Sequence, residues 1–454
     1  MHSKTTTATK YEAKSTLVPK LRFPGFMNPW ANEPLSRVLT EHRLKNTEGQ
    51  DVFSVSMEHG IVNQIELLGR SFAAADTSHY TIGRRYDVVY TKSPLKAFPF
   101  GIVKQCKFDG EVALSPLYGV FTPSNPHVGL MIEAYFESPS RSVAFLTPLC
   151  QKGAKNTIQI TNSTFLSGKL PLPTEAAEQE RIADCLSSLD EMIAAQARKV
   201  GALKTHKKGL MQQLFPRVGE TQPRLRFPEF QNAGAWEERP FSELCHIKHG
   251  YAFESEFFSN AGEYVLLTPG NFFEEGGYRD RGELQKHFTG EIPRDYLLAK
   301  GDMLVAMTEQ ATGLLGSTIL VPESNRFLHN QRLGLVVKRP GVAWTNEFFF
   351  YIFNSQRVRK AIHDTASGAK VRHTSPTNIG NVVVSVPKSI LEQHRIASCL
   401  SCLDALIAAE THKHAALQRY KRGLMQLLFP CPQGKQAVEL TATWSHHDQD
   451  DLEQ

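Results

Sequence analysis

The residues equipped for chemistry are the cysteines, histidines and carboxylates, and their spacing decides whether they can use it. Cys399 and Cys402 form a C-x-x-C, the spacing at which two thiolates bind zinc or exchange a disulfide. A zinc site needs a second ligand pair, and none stands at a matching distance. The two thiols lie among leucines at helical spacing, and the matching pair in an earlier copy of the segment is Cys185 and Ser188, so packing is the expected role. Seven cysteines, odd in number and without a framework, point to free thiols in a reducing cytoplasm. Glu274-Glu275 adjoin Gly276-Gly277 and read as a turn. His446-His447 belong to a solvated tail. The G-x-x-x-x-G-K-[ST] loop, a G-x-G-x-x-G after a strand, H-E-x-x-H and G-x-S-x-G are all missing, as is the Asn/Asp-Pro-Pro-Tyr/Phe tetrapeptide of amino-directed DNA methyltransferases. Neither catalysis nor a metal is expected of this chain.

The strongest pattern is instead a duplication. Arg181-Ile182-Ala183-Asp184-Cys185-Leu186-Ser187-Ser188-Leu189-Asp190 returns 214 positions later as Arg395-Ile396-Ala397-Ser398-Cys399-Leu400-Ser401-Cys402-Leu403-Asp404. Leu210-Met211-Gln212-Gln213-Leu214-Phe215-Pro216 returns at the same offset as Leu424-Met425-Gln426-Leu427-Leu428-Phe429-Pro430. In the first copy Ile182, Leu186, Leu189, Ile193, Leu203, Leu210 and Leu214 step by fours and threes, with Gln196, Val200 and Lys207 between them. The second copy has Ile396, Leu400, Leu403, Ile407, Leu417, Leu424 and Leu428, with Glu410, His414 and Lys421. That rhythm keeps one stripe facing a partner helix, and polar seam members fix register at some cost in stability. Thr174 is the expected N-cap of the first helix. Ser389-Ile390-Leu391-Glu392 reads as a capping box for the second, and Pro216 and Pro430 stop both. A helix from about 175 to 215 spans roughly 60 Å. The simplest packing is seam against seam.

A second repeat precedes each helix by a whole domain. Pro19-Lys20-Leu21-Arg22-Phe23-Pro24, followed by Trp30, matches Pro223-Arg224-Leu225-Arg226-Phe227-Pro228, followed by Trp236. The unit is therefore an entry arm, a variable domain and a spacer helix. Both variable regions carry short β-rich runs, such as 87–90 and 112–114, or 264–267, 303–306 and 334–337. Helices are expected near 133–146 and 346–363, so the class is α+β. The regions align at Tyr86-Asp87-Val88-Val89 with Gly301-Asp302-Met303-Leu304, and at Gly153-Ala154-Lys155 with Gly368-Ala369-Lys370. Between those anchors they differ widely, as two domains doing one job on different targets would. Residues 1–18 read as a disordered leader without a secretory signal, and 431–454 as a disordered acidic tail. A net charge of +5 permits a polyanionic partner without demanding one, and no apolar run is long enough to cross a membrane.

On the two Leu-Arg-Phe-Pro arms and the helix openings Glu178-Gln179-Glu180-Arg181-Ile182 and Glu392-Gln393-His394-Arg395-Ile396, the chain resembles the specificity subunits of type I restriction–modification systems over about 19–430. Leu267-Thr268-Pro269-Gly270-Asn271-Phe272 and Gly301-Asp302-Met303-Leu304-Val305-Ala306-Met307-Thr308 also look like a target-recognition domain of that family. His394 departs from the glutamate of the first copy. The resemblance implies two target-recognition domains of mixed α/β structure, at 19–173 and 218–388. It implies spacer helices at 174–217 and 389–430 forming an antiparallel coiled coil. Each domain would read one half of a bipartite, asymmetric duplex DNA target, and the helices would set the spacer and dock two modification subunits. Restriction subunits would join them. S-adenosylmethionine and ATP would be bound by those partners, with no cofactor on this chain.

Base-edge and phosphate contacts call for basic, hydroxyl and amide side chains on loops. In the second domain these are Lys248, His249 and Tyr251; Thr308, Gln310 and Thr312; and Lys370, Arg372, His373 and Thr374. In the first they are Arg84, Arg85, Lys92, Lys155 and Asn156. Two other readings compete: an enzyme acting on DNA, against which the missing motifs count, and a coiled-coil scaffold, which leaves two large domains with basic loops unexplained.

Overall fold

The computed structural model describes residues 17–152, 158–309, 311–368 and 371–430. The chain divides into two compact units, Met1–Arg198 with Thr411–Lys435, and Lys199–Glu410 with Gln436–Gln454. Two 39-residue helices, Ala176–Leu214 and Ile390–Leu428, each contribute one part to either unit.

In the first unit the central sheet has the strand order Leu39–Glu41, Gly119–Pro123, Val88–Thr91, Ile102–Gln105. The helix Pro126–Phe136 lies in its core, with every residue from Val128 to Phe136 buried. Asn125 starts that helix by accepting from the Val128 amide at 2.9 Å, and Pro126 needs no partner at the first position. The helix expected near 133–146 is two helices. Pro139 cannot extend the first, and Ser138 caps a second, Pro139–Leu146.

In the second unit the sheet runs Cys245–His249, Leu333–Lys338, Met303–Ala306, Thr318–Leu320, the same order by chain position as in the first. The expected helix near 346–363 is likewise divided, into Asn346–Phe353 and Gln356–Asp364. The turn that leads into the central strand is shared. Asp87 Oδ2 accepts from the Arg84 amide and Asp302 Oδ2 from the Ala299 amide, both at 2.8 Å. Tyr86 and Gly301 carry positive φ angles of 75° and 84°.

The entry arms explain their own repetition. Leu21 N–H donates to Leu427 O, and Leu225 N–H to Gln213 O, both at 3.0 Å, so each arm satisfies a carbonyl at the open end of one long helix. The following arginine reaches the other long helix near its start. Arg22 meets both carboxylate oxygens of Glu178 at 2.7 Å, and Arg226 meets those of Glu392 at 2.7 and 2.8 Å. The Trp30 and Trp236 indole N–H groups donate to the same two glutamates at 3.2 Å. Phe23 and Phe227 lie beneath Arg181 and Arg395. A two-stranded ribbon closes each domain over the arm, Ala31–Pro34 with Lys169–Leu172 and Glu237–Pro240 with Val383–Val386.

Three sequence expectations change here. The first long helix opens at Ala176 with Glu175 O accepting its first bonds, so Thr174 lies before the cap. Ser389 does accept from the Glu392 amide at 3.4 Å, but the Glu392 carboxylate goes to Arg226 and Trp236, so the box is half formed. A bidentate guanidinium is the stronger competitor for a carboxylate than one backbone amide. Leu17 also leaves the leader, because its carbonyl accepts from the Trp30 amide at 2.9 Å.

Every apolar seam residue is turned inward. Ile182, Leu186, Leu189, Ile396 and Leu400 are buried, and Ile193, Leu203, Leu210, Leu403, Ile407, Leu417 and Leu424 are half-buried. Within each unit the helix segments run antiparallel. Ile182 and Leu186 share a core cluster with Met425 and Leu428 in the first, and Leu214 shares one with Ile396 and Leu400 in the second. The pairs Asp190 with Lys421 and Asp404 with Lys207 follow the same register.

Candidate nucleic-acid interface

Strand register gathers most of the second domain's sequence candidates at one end of its sheet. His249 pairs with Gly334 and Ala306 with Leu333, so three strands finish together and their loops emerge side by side. Backbone bonds lace those loops. Tyr251 N–H donates to His329 O and Gln331 N–H to Tyr251 O. Met307 N–H donates to Arg332 O, Thr374 N–H to Met307 O, and Glu309 N–H to Arg372 O. Thr308 Oγ1 stands 3.3 Å from His373 Nδ1. Loops tied in this way present side chains in a fixed pattern, which base-edge readout requires.

The exposed rim carries His249, Tyr251, Thr312 and His373. Lys248 is already engaged, donating to Asp295 O at 2.8 Å and lying over the Tyr296 ring. Arg372 is half-buried and contacts the His363 ring at 2.8 Å. Thr374 is buried, and its hydroxyl has no hydrogen-bond partner among the described residues. Gln310 and Lys370 lie outside the described residues. Arg359 ties the 311–316 turn to Glu274, donating to Leu315 O, Gly313 O and Glu274 O. Burial pulls its guanidinium down to about 10, which leaves it charged at neutral pH.

Gln331 and Arg332 were missed in the sequence. Both are exposed, in the loop that bonds to Tyr251 and Met307. Their signal was faint, because only strand register shows that the 330–332 turn shares an end with 249–251 and 307–309.

The first domain is less concentrated. Lys92 follows the C-terminal end of strand 88–91, whereas Arg84 and Arg85 precede its N-terminal end, so the strand separates them. Arg84 pairs with Glu111 at 2.8 Å, and Arg85 pairs with Asp109 at 3.1 Å while covering the Tyr86 ring. Both arginines are committed to exposed ion pairs. Lys155 and Asn156 lie outside the described residues.

The two domains share one sheet order, and the entry arm of each is tied to the long helices. Residues 233–419 match the type I restriction modification DNA specificity domain. The type I restriction enzyme MjaVIII specificity subunit of Methanocaldococcus jannaschii is 24% identical over 279 residues, which span 59% of this chain and 63% of that protein. The chain thus spans a little under two thirds of the length of this relative. The crystal structure of the type I restriction-modification system S subunit from M. genitalium has the same fold. Its TM-score is 0.57 at 15% identity, over 91% of this chain and 100% of that one. Residues 233–419 are thus similar to that specificity domain, and the chain shares the fold of a solved S subunit.

Proposed function

We propose that this chain is the non-catalytic DNA sequence-specificity subunit of a type I restriction–modification complex. Each domain reads one half of a bipartite, asymmetric duplex target through its sheet-end loops. The antiparallel helix segments set the spacer and dock two modification subunits, which bind S-adenosylmethionine, and restriction subunits using ATP complete the assembly. Such a complex works in the cytoplasm, where its DNA is. Among the described residues, no helix is long and apolar enough to cross a membrane.

The observation that carries this reading is the four-loop end of the second domain, where hydroxyl, imidazole, amide and guanidinium groups share one rim on a rigid sheet. Phosphate contacts position such a rim and base edges give it sequence preference. Single-molecule methylome sequencing of a host expressing this chain with its modification subunit tests the proposal. A bipartite methylated motif should vanish when this gene is deleted. An unchanged methylome, with the modification subunit bound in a pull-down, would refute sequence specificity as its role.

A further inference from the structure

The Asp–Lys pair that the long helices make in each unit has a third member, supplied by the domain. In the first unit Lys421 Nζ lies 2.6 Å from Asp190 and 2.7 Å from Glu137, the residue that ends the core helix 126–136. Lys104, on strand 102–105, reaches the other oxygen of Glu137 at 3.2 Å and so carries the link to the sheet. In the second unit Lys207 pairs with Asp404 at 2.5 Å, and the Tyr351 hydroxyl donates to the second oxygen of Asp404 at 2.8 Å. The helix pair is the repeat's constant part. What the domain brings to it differs, a carboxylate on the lysine in one unit and a phenol on the aspartate in the other.

In the first unit Lys421 and Glu137 are 13% and 19% exposed; in the second the donor Tyr351 is 4% exposed, and its acceptor Asp404 is 36% exposed. An apolar seat tolerates sliding, because dispersion contacts re-form after a small shift. A shielded, charge-assisted hydrogen bond has one geometry and is lost outside it. We infer that Glu137 and Tyr351 are positioning residues, which fix the angle of each domain on its own helix segments and thereby the half-site spacing the protein accepts, without touching DNA. The inference rests on the DNA-reading function proposed above. A tilt that moves the loop end by about 3.4 Å shifts the reading by one base step.

The test is selection of duplex DNA from a random-sequence pool by the full chain in its modification complex, comparing wild type with Tyr351→Phe. That substitution removes one oxygen and keeps the ring in its place. Glu137→Gln serves as the independent variant in the other unit, should the first fail to fold. The expected result is unchanged half-sites, with the preference for the native spacer over one base pair more or less reduced roughly tenfold, the factor set by losing one hydrogen bond to a charged group. A lower melting temperature with spacer preference intact would make the contact purely structural and overturn the inference. Altered bases in either half-site would also overturn it. If wild type itself enriched no bipartite motif, the DNA-reading proposal would fall first and this inference with it.

Discussion

Replacing Arg226 by methionine should cost the second unit about 4 kcal/mol. Glu392 is 2% exposed and Arg226 8%, so the carboxylate has given up its water and relies on three donors, two from Arg226 and one from Trp236. Arg226→Met removes the charged pair and leaves one neutral N–H at 3.2 Å. An unpaired buried charge of this kind typically costs about 3–5 kcal/mol. The bond from Arg226 to Gly234 O is lost as well, at roughly 1 kcal/mol or less for an exposed site. Two units need not unfold together, so the measurement is native-state hydrogen exchange resolved by peptide. Amides of the 237–240 and 383–386 ribbon should exchange about a thousandfold faster, at 1.4 kcal/mol per tenfold. The ribbon 31–34 with 169–172, held by its own Arg22–Glu178 pair, should be unaffected. Arg226→Met with Glu392→Leu should return most of the stability, because no charge is then left stranded. A cost below about 1 kcal/mol for the single substitution, or a double variant as unstable as the single one, would refute the reasoning.

His329 is fully buried, and burial pushes its imidazole down to about 4 despite the Leu333 carbonyl at 2.9 Å. The unfolded chain binds the proton first, near pH 6.5, so stability is full above that value and falls as pH drops toward 4, by about 3 kcal/mol in all. Urea titrations from pH 7 to 4.5 should show that slope, and His329→Asn should flatten it. Gly301 has φ +84° and open space where a Cβ would stand, so Gly301→Ala should cost only the backbone strain, about 1–2 kcal/mol, read as a lower melting temperature. Tyr86→Gly, at the equivalent turn, should be neutral to slightly stabilising in the same assay. Arg332→Ala should weaken binding to the chain's own target about tenfold and reduce the salt dependence by about one phosphate. Arg84→Ala should do neither, and an equal effect of both in a salt-series binding assay would disprove the sheet-end interface.

The sequence by itself determined the frame. The 214-residue repeat, the four–three seam, the paired arms and the prolines that end the long helices are local or periodic signals, and each survives in a linear text because its physics acts over a few residues or one helical turn. It also located Thr308 and His373 as candidates, though nothing linear joined them. Tertiary structure alone decided that those two face each other across 65 positions, that Arg332 stands beside them, and that Arg84 and Lys92 occupy opposite ends of one strand. Strand register makes those choices, and register follows from which apolar faces find each other in three dimensions. The same is true of Glu392. Its spacing from Ser389 reads as a cap, but a guanidinium 166 positions away outcompetes the neighbouring amide, because a bidentate ion pair shielded from water is worth more to a buried carboxylate than one backbone hydrogen bond.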